Sequence, residues 1–255
     1  MRRSANGPKL KSPEQIEEMK EAGRLSAKAL RIAGEAMRPG VSTFEIDERI
    51  ESCIALEGGT PTFKGYGGFP GSACISPNEV VVHGIPRKGV LLHEGDIVSV
   101  DTGATKDGWV GDNAETFFVG EVDEEKRLLC EACEAAMWAG IEQAVPGNHL
   151  GDVGHAIEST AKSYGFRVVR EYVGHGVGRD MHEAPQVPNY GRKGKGLLIE
   201  PGLVIAIEPM IVAGRSRVHV LDDGWGVVTD DGRPAAHFER TIAVTEDGPV
   251  VLTCE

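Results

Sequence analysis

The chain has 255 residues, 40% of them hydrophobic and 26% charged, which is typical of a globular protein with a sizeable core. A net charge of −12 argues against a nucleic-acid partner and against an anionic membrane surface. No apolar run is long enough to span a membrane, and no apolar stretch follows Arg2 and Arg3. We therefore expect neither a membrane span nor a signal peptide.

Two helices are predicted in the first part of the chain. The stretch SPEQ at residues 12–15 combines a capping residue, a proline at the first helical position and a capping-box glutamine. Apolar residues then recur at helical spacing until Pro39 and Gly40 end the run. A second capping box, STFE at residues 42–45, opens a shorter helix that ends near Gly58.

The same pattern returns 107 residues further along the chain. Helices are predicted over Asp123–Ala144 and His149–Tyr164, each ended by a glycine or a Pro-Gly pair. At this offset Gly95–Asp101 aligns with Gly202–Glu208, so two apolar strands each follow a glycine and end in a carboxylate. The matches predict an internal duplication with helix-helix-strand halves.

The two predicted halves cover about residues 13–120 and 121–255. Each half needs the sheet of the other half to bury one face, because a repeat unit of this kind has no closed core of its own. We therefore expect one domain over residues 1–255, with Asp101 and Glu208 facing each other where the halves meet.

Five cysteines without regular spacing do not match a disulfide framework and favour a reducing compartment, the cytoplasm. Cys130 and Cys133 form a C-x-x-C pair inside the third predicted helix, with no preceding strand and no second pair. A redox or zinc site at this pair is the alternative interpretation, and we expect reduced structural thiols.

A hairpin is predicted around the DG pair at residues 107–108, which is a two-residue turn signal. With that turn, Asp101 lies opposite Ala114 and Asp112 lies opposite Gly103. Both aspartates then lie on the same sheet face as diagonal neighbours, about 7–8 Å apart. A three-residue turn would put them on opposite faces, so this prediction depends on the turn.

Two further carboxylates, Glu208 and Glu239, lie on apolar strands of the second half. An unpaired buried carboxylate costs several kcal/mol, and Arg240 beside Glu239 points to the opposite sheet face. One or two divalent cations would offset this cost. The alternative is that each carboxylate is an exposed charge at a strand edge.

The stretch GHGVGRD at residues 174–180 places His175 between glycines. These glycines exclude a helix and let the backbone come close to another segment, at φ angles that side chains forbid. A dinucleotide-binding G-x-G loop is disfavoured, because Arg179 stands where a third glycine is needed. His175 is therefore the natural fifth ligand. One imidazole with four carboxylates suits Mn(II), Fe(II) or Co(II) better than a structural zinc.

Five segments occur in the order found in type I methionine aminopeptidases, and the resemblance covers nearly the whole chain. They are NEVVVHGIP (78–86), DTGATKDGWVGDNAETF (101–117), GHGVGRDMHEAPQVPNY (174–190), IEPM (207–210) and HFERTI (237–242). The chain resembles this family, and the resemblance implies the α+β pita-bread fold, with two pseudosymmetric halves and a curved, mainly antiparallel sheet. It departs from the family pattern at Val110, at Asn113 and Ala114, and at Arg240.

The resemblance also implies the site. Two divalent ions (Co, Mn, Fe(II) or Zn, with Fe(II) or Mn expected in the cell) would be held by Asp101, Asp112, His175, Glu208 and Glu239. Asp112 and Glu239 would bridge the ions, and Glu208 would also hold or relay the proton of the attacking water. His83 would contact the substrate near its amine and scissile amide, and His182 would contact the scissile carbonyl.

The implied methionine pocket consists of Phe63, Tyr66, Phe69, Cys74, Met181 and Trp225. For Phe63 and Cys74, ordinary core packing is an equal alternative. The remaining histidines are expected to be structural or to lie on the surface: His93, His149, His155, His219 and His237.

The implied function is metal-dependent removal of the N-terminal methionine from nascent proteins and peptides when the second residue is small. Only 25 residues separate His182 from Glu208, and 12 precede the first helix, so neither a type II insertion nor a zinc-binding extension is expected. We expect a monomer in the cytoplasm, acting on nascent chains and in reach of the ribosome. The alternatives are a proline-specific aminopeptidase or dipeptidase of the same fold, and a non-enzymatic pita-bread binding protein.

Overall fold

The structure is a computed structural model that describes residues 7–255. Arg2 and Arg3, on which the signal-peptide prediction depends, lie outside the described residues. Within the described range no helix is both long and apolar enough to cross a membrane. The helices of this range are α1 (Pro13–Glu35), α2 (Thr43–Leu56), α3 (Glu124–Glu142) and α4 (Leu150–Ser163), with a 3₁₀ turn at Tyr66–Gly68.

The helices begin where the capping signals predict. The Ser12 side chain accepts a hydrogen bond from the Gln15 amide while the Gln15 side chain accepts one from the Ser12 amide. Ser42 and Glu45 repeat this reciprocal pair at the start of α2. Each pair satisfies amide groups that have no partner inside the helix, which defines the first residue of the helix.

The strands form one large and two small sheets. The strands of residues 7–255 are β1 (Thr60–Pro61), β2 (Ala73–Pro77), β3 (Val80–Val82), β4 (Ile97–Lys106), β5 (Trp109–Phe118), β6 (Arg167–Val168), β7 (Gly174–Gly176), β8 (Glu183–Val187), β9 (Val204–Ile207), β10 (Met210–Val212), β11 (Val218–Val220), β12 (Val227–Thr229), β13 (Ala235–His237), β14 (Glu239–Thr245) and β15 (Gly248–Val251).

The large sheet runs β1-β4-β5-β14-β9-β7-β8, with β2 also on β4 and β15 also on β14. The small sheets run β13-β10-β6 and β11-β12-β3. The strand pairs of these sheets are antiparallel, as predicted. The two halves join where β5 pairs with β14.

The offset of 107 residues predicted from the sequence recurs in the backbone. Helix α2 at 43–56 corresponds residue for residue to α4 at 150–163. The glycines at 40, 58 and 95 have left-handed φ angles, and so do those at 147, 165 and 202. The isolated bridge between Ser42 and Leu91 recurs between His149 and Leu198. Equivalent turns therefore place equivalent strands on the large sheet.

Each pair of helices covers its own apolar core. One core packs α1 and α2 against β2 and β4, with Ile46, Ile50 and Val100 fully buried. The other packs α3 and α4 against β9 and β14. A third cluster lies beside the functional residues described below and includes Phe63, Phe69 and Met181. The helices thus anchor the strands that carry the site.

Candidate active site

A cavity of about 220 Å³ lies against β4, β5, β7 and β14. Every residue to which the sequence analysis gave a metal, catalytic or pocket role lines this cavity: Phe63, Tyr66, Phe69, Cys74, His83, Asp101, Asp112, His175, Met181, His182, Glu208, Trp225 and Glu239. Five residues without a predicted role also line it: Val82, Tyr172, Val173, Met210 and His237.

The predicted hairpin places two of the carboxylates. Asp101 lies opposite Ala114 and Gly103 lies opposite Asp112, so the two-residue turn is confirmed. On the next strand, Glu239 also lies opposite Ala114. Directly opposed residues share a sheet face, and so do residues two apart on one strand. Three carboxylates from three neighbouring strands therefore lie on one face.

Glu208 adds a fourth carboxylate to this face, at the point where strand β9 ends. Strand β9 ends at Ile207, which lies opposite Arg240, so the next residue along this register lies opposite Glu239. The chain then turns away into β10, which belongs to another sheet. The Asn189 side chain donates a 3.0 Å hydrogen bond to the Glu208 carbonyl oxygen and so supports the backbone where β9 ends.

The described part of the chain offers these buried carboxylates few hydrogen-bond donors. Asp101 Oδ1, Asp112 Oδ1 and Glu239 Oε1 are buried without a hydrogen-bond partner among residues 7–255. Burial, and secondly the charges of neighbouring carboxylates, raise the pKa of Asp101, Glu208 and Glu239 well above the ordinary range. Burial also raises the pKa of Asp112, to about 7. Buried carboxylates this close together favour a bound cation.

The orientation of His175 supports the same conclusion. Its Nδ1 lies 3.0 Å from the Gly176 carbonyl oxygen, which can only accept, so Nδ1 carries the proton. Burial lowers the pKa of His175 to about 4, so the ring is neutral and Nε2 carries a lone pair. Nε2 lies 3.4 Å from Glu208 Oε1 and 3.8 Å from Asp112 Oδ2. A lone pair that faces two carboxylate oxygens needs a cation between them.

The residues present fit a divalent metal. One ligand atom each from Asp112, His175 and Glu239 lie within 4.8 Å of one another. Asp101 and Glu208 extend this group with oxygens on the same face. Carboxylates with one imidazole are a hard ligand set, and the carbonyl bond at Nδ1 fixes the tautomer that such a ligand requires.

The glycines around His175 act partly as predicted. A side chain at Gly174 would collide with the Ala206 carbonyl, and one at Gly176 would collide with the Ala184 carbonyl. The close backbone approach is therefore confirmed. The predicted φ angles are wrong, because these glycines are absent from the residues with positive φ in the described chain. They lie in extended backbone, where the lack of a side chain is what matters.

His182 lies beside the metal-binding face. Its ring centroid is 4.2 Å from that of His175, and its Nδ1 is 2.8 Å from the Tyr66 hydroxyl. Burial lowers the pKa of His182. The next residue, Glu183, receives a hydrogen bond of 2.6 Å from Lys11, and both side chains are almost fully buried. This ion pair ties the segment before α1 to the loop that carries His182.

His83 reaches the cavity from a strained backbone. Its φ of 60° is in the left-handed region, which costs a residue with a side chain about 1–3 kcal/mol and is common at functional sites. Its ring meets those of Tyr172 and Trp225 edge-on, with centroids 5.7 and 6.4 Å away. Burial lowers the pKa of His83, so the imidazole is neutral near pH 7.

The apolar part of the cavity is built as expected. Phe69 and Trp225 meet edge-on with centroids 5.1 Å apart, and Met181 is buried in the same cluster. Phe63 and Cys74 line the cavity and also belong to the apolar core. Burial, followed by the Asp101 charge, raises the pKa of the Cys74 thiol well above its usual range, so it remains protonated.

His237 differs from the expectation that it is a structural or surface histidine. It is 2% exposed, and its Nε2 has no hydrogen-bond partner in the described part of the chain. The sequence contained one signal, its position two residues before Glu239 on the same motif. Because β13 and β14 are separate strands, ordinary alternation along one strand did not reveal that both side chains reach the cavity.

Of the departures from the family pattern, Asn113 and Arg240 lie on the sheet face opposite the carboxylates, whereas Val110 and Ala114 share the face of Asp112. Asn113 accepts a 2.6 Å hydrogen bond from Ser26 of α1. The Val110 amide donates to the Gly178 carbonyl, and Arg240 donates to the Ala114 carbonyl across the β5–β14 seam. These contacts support the strands that carry the carboxylates.

The C-x-x-C pair is part of the core. Cys130 and Cys133 are buried on α3, and the Cys133 thiol donates to the Pro209 carbonyl. Burial raises the pKa of Cys130 to about 12 and that of Cys133 well above its usual range. Both sulfurs therefore remain thiols, and the cysteines of residues 7–255 are free.

The duplicated α+β frame and the buried centre of carboxylates and imidazoles define a metal-dependent hydrolase. Residues 17–246 match the sequence profile of metallopeptidase family M24. A curated methionine aminopeptidase of Clostridium acetobutylicum is 47% identical over 247 residues, which cover 96% of this chain and 99% of that protein. Methionine aminopeptidase 1 of Bacillus subtilis is 47% identical over 243 residues, covering 95% and 98% respectively.

A crystal structure of the methionine aminopeptidase from Thermotoga maritima superposes with a TM-score of 0.96 at 46% identity, covering 97% of this chain and all of that one. The chain therefore belongs to the methionine aminopeptidases of metallopeptidase family M24, which have the pita-bread fold. The family and the fold predicted from the motifs are confirmed.

Proposed function

We propose that Asp101, Asp112, His175, Glu208 and Glu239 hold two divalent metal ions, and that the protein uses this centre to remove the N-terminal methionine from new polypeptide chains. The observation that carries the proposal is the His175 lone pair facing buried carboxylate oxygens at 3.4 and 3.8 Å. Asp112 and Glu239 would be ligands to both ions, as the family resemblance implies, and one ligand atom of each lies within 4.8 Å of the other and of His175.

Divalent ions in such a centre supply a Lewis acid and lower the pKa of a bound water. The protein supplies the proton acceptor. Glu208 is suited to this role because its carboxylate lies where β9 ends, beside His175, with Oε1 3.4 Å from His175 Nε2. Glu208 accepts the proton of the attacking water and passes it towards the departing amine.

Two neutral imidazoles handle the peptide bond. Nδ1 of His182 lies 2.8 Å from the Tyr66 hydroxyl. In the tautomer that this role requires, the hydroxyl donates to Nδ1, and Nε2 carries the proton for the oxygen of the scissile carbonyl. His83 contacts the substrate near its amine and scissile amide. Its strained backbone holds the ring at the wall formed by Tyr172 and Trp225.

The slot of Phe63, Tyr66, Phe69, Cys74, Met181 and Trp225 holds the methionine side chain. Methionine is unbranched and flexible, so it fits between aromatic edges, whereas a β-branched residue collides near the amine. The second residue lies against the loops of His83 and His182. Small second residues are therefore accepted, and large ones fit poorly.

The native metal is Fe(II) or Mn(II), and Co(II) or Zn(II) can replace it, as a hard ligand set of this kind allows. The protein acts as a monomer and one catalytic domain, because a single chain supplies every residue of the centre. It works in the cytoplasm on chains that emerge from the ribosome. The net charge of −12 supports contact with the peptide and not with nucleic acid.

The test is release of free amino acid from Met-Ala-Ser, Leu-Ala-Ser, Met-Lys-Ser and Ala-Pro peptides by metal-free protein to which each metal is added. We expect Met-Ala-Ser to be cleaved, and Leu-Ala-Ser to be about 10–200-fold slower, since one misfitted methylene gives discrimination of that size. Equal kcat/KM for the two would contradict the methionine slot. Preference for Ala-Pro would favour the proline-specific alternative.

A further inference from the structure

The cavity contains one polar side chain that the proposed mechanism does not use. His237, the last residue of β13, is 2% exposed, and its Nε2 has no hydrogen-bond partner among residues 7–255. A buried imidazole nitrogen without a partner is costly, and such groups concentrate where a ligand or a reacting group completes them. Nε2 of His237 lies 3.9 Å from Glu208 Oε2.

Glu208 therefore lies between two imidazoles. His175 Nε2 is 3.4 Å from one carboxylate oxygen, Oε1, and His237 Nε2 is 3.9 Å from the other, Oε2. The two contacts differ in kind. His175 presents a lone pair, because its Nδ1 proton is used by the Gly176 carbonyl. Among residues 7–255 no hydrogen bond of this kind fixes the His237 ring, so its Nε2 can present a proton.

The backbone of His237 cannot move away from this position. The Thr116 hydroxyl accepts from the His237 amide and donates to the His237 carbonyl, both at 2.9 Å. His237 also pairs with Met210, two residues after Glu208. A neutral imidazole has one N–H donor, which either ring nitrogen can carry.

We propose that His237 is a positioning residue for Glu208, with its Nε2 proton donated to Glu208 Oε2 directly or through one ordered water. This contact turns Oε1 towards His175 and the metal-binding face, and it keeps Glu208 in the orientation that accepts the proton of the water. Partners of this kind, behind a metal ligand, typically contribute 10–100-fold in metal affinity or activity. The inference rests on the role proposed above for Glu208.

The test compares two amides that differ by one methylene. The amide nitrogen of glutamine reaches about as far as Nε2 of histidine, whereas that of asparagine reaches only as far as Nδ1. We expect His237→Gln to keep kcat and metal affinity within about 3-fold, and His237→Asn and His237→Ala to lose about 10–100-fold in either quantity. KM for Met-Ala-Ser should change less than kcat. His219→Asn, at an exposed histidine paired with Asp230, is the control.

Calorimetric titration of metal into metal-free protein and steady-state kinetics supply these values, and thermal melting reports whether each variant folds. Equal losses in the glutamine and asparagine variants would overturn the inference. Loss of one stoichiometric metal ion from both would also overturn it, by making His237 a ligand. An inactive wild-type protein would instead contradict the proposed function and leave the metal titrations to decide the role of His237.

A second measurement needs no substitution. Nitrogen-15 NMR of histidine-labelled, zinc-loaded wild-type protein distinguishes the two neutral tautomers. The inference predicts that His237 carries its proton on Nε2. A proton on Nδ1 would overturn it even if every variant failed to fold.

Discussion

The two halves of the molecule carry matching helices but different strands. In the first half, β4 and β5 are consecutive ten-residue strands joined by a two-residue turn, and they hold Asp101 and Asp112. In the second half, β9 has four residues and ends just before Glu208. The next carboxylate of the site, Glu239, lies on the later strand β14. The first half therefore carries its two carboxylates on one continuous hairpin, whereas in the second half other strands separate the two carboxylates.

The offset between equivalent carboxylates measures this difference. It is 107 residues from Asp101 to Glu208 but 127 from Asp112 to Glu239, so the second half has 20 additional residues between its two carboxylates. The additional segment includes β11 and β12 and carries Trp225 to the cavity. The duplicated frame thus supplies carboxylates from both sides, and the departure from symmetry supplies part of the pocket.

The largest expected effect comes from removing one equivalent carboxylate in each half. Asp101→Asn and Glu208→Gln should each abolish methionine release, since each removes a ligand from a shared centre. Neither should lower the melting temperature of the metal-free protein, because each relieves repulsion between buried carboxylates. Glu115→Gln, on the opposite face of β5 and paired with Arg240, is the matched control and should remain active. Full activity of either ligand variant would contradict the claim that both halves supply ligands to one metal centre.

The next effect concerns the buried ion pair that joins the first half to the second. Lys11→Met removes the closest and buried cation of Glu183, leaves it the Arg179 amide and the distant Lys9, and should lower the free energy of unfolding by about 3 kcal/mol. Lys9→Met is the comparison, because Lys9 is 69% exposed and more distant from both of its partners, 3.7 Å from the exposed Asp180 and 3.9 Å from Glu183, so it is expected to contribute at most about 1 kcal/mol. Urea unfolding measures both, and equal losses would contradict the prediction.

This ion pair also predicts a pH dependence. Burial raises the pKa of Glu183, but the hydrogen bond and charge of Lys11 outweigh it and hold the pKa below its ordinary value. A group with a lowered folded pKa contributes stability above its unfolded pKa of about 4.3, and that contribution is lost as the pH falls through the folded value. The wild type should therefore lose this stability below about pH 4, and Lys11→Met should not show the loss.

A smaller effect is expected from the two imidazoles proposed to contact the peptide bond, one from each half. His182→Ala should lower kcat by about 10²–10³-fold, the scale for losing one oxyanion donor, with metal content unchanged. His83→Ala should be similar in kcat/KM, with a larger share in KM. Steady-state kinetics and metal analysis separate the two roles. Loss of a metal ion from His182→Ala would make it a ligand.

The smallest effect tests the additional segment of the second half. Trp225→Ala should raise KM for Met-Ala-Ser and lower kcat/KM by about 10-fold, since part of the methionine slot is lost while the metal-binding face remains. Discrimination against Leu-Ala-Ser should also weaken. A large fall in kcat with unchanged KM would assign Trp225 to the chemistry and not to the slot.

Much of the site could be predicted because short-range rules decide it. The turn at residues 107–108 sets the hairpin register, and the two-residue period of a strand then puts Asp101 and Asp112 on one face. The 107-residue offset located Glu208. The roles of His83 and His182 came from the family resemblance alone.

The remaining features depend on contacts between distant parts of the chain. Lys11 and Glu183 are 172 residues apart, and no local pattern pairs them. The left-handed backbone of His83 is held by the folded surroundings. His237 reaches the cavity because β13 pairs with β10 in a separate small sheet, and a single sequence does not reveal that pairing.

The most direct test of the account is anomalous diffraction from crystals of the protein loaded with Mn(II). The account predicts two anomalous peaks about 3.5–4 Å apart, both in contact with Asp112 and Glu239, one carboxylate from each half. Asp101, His175 and Glu208 should complete the coordination. Ions bound elsewhere, or no ion at these residues, would contradict the claim that the two halves meet to form a shared metal centre.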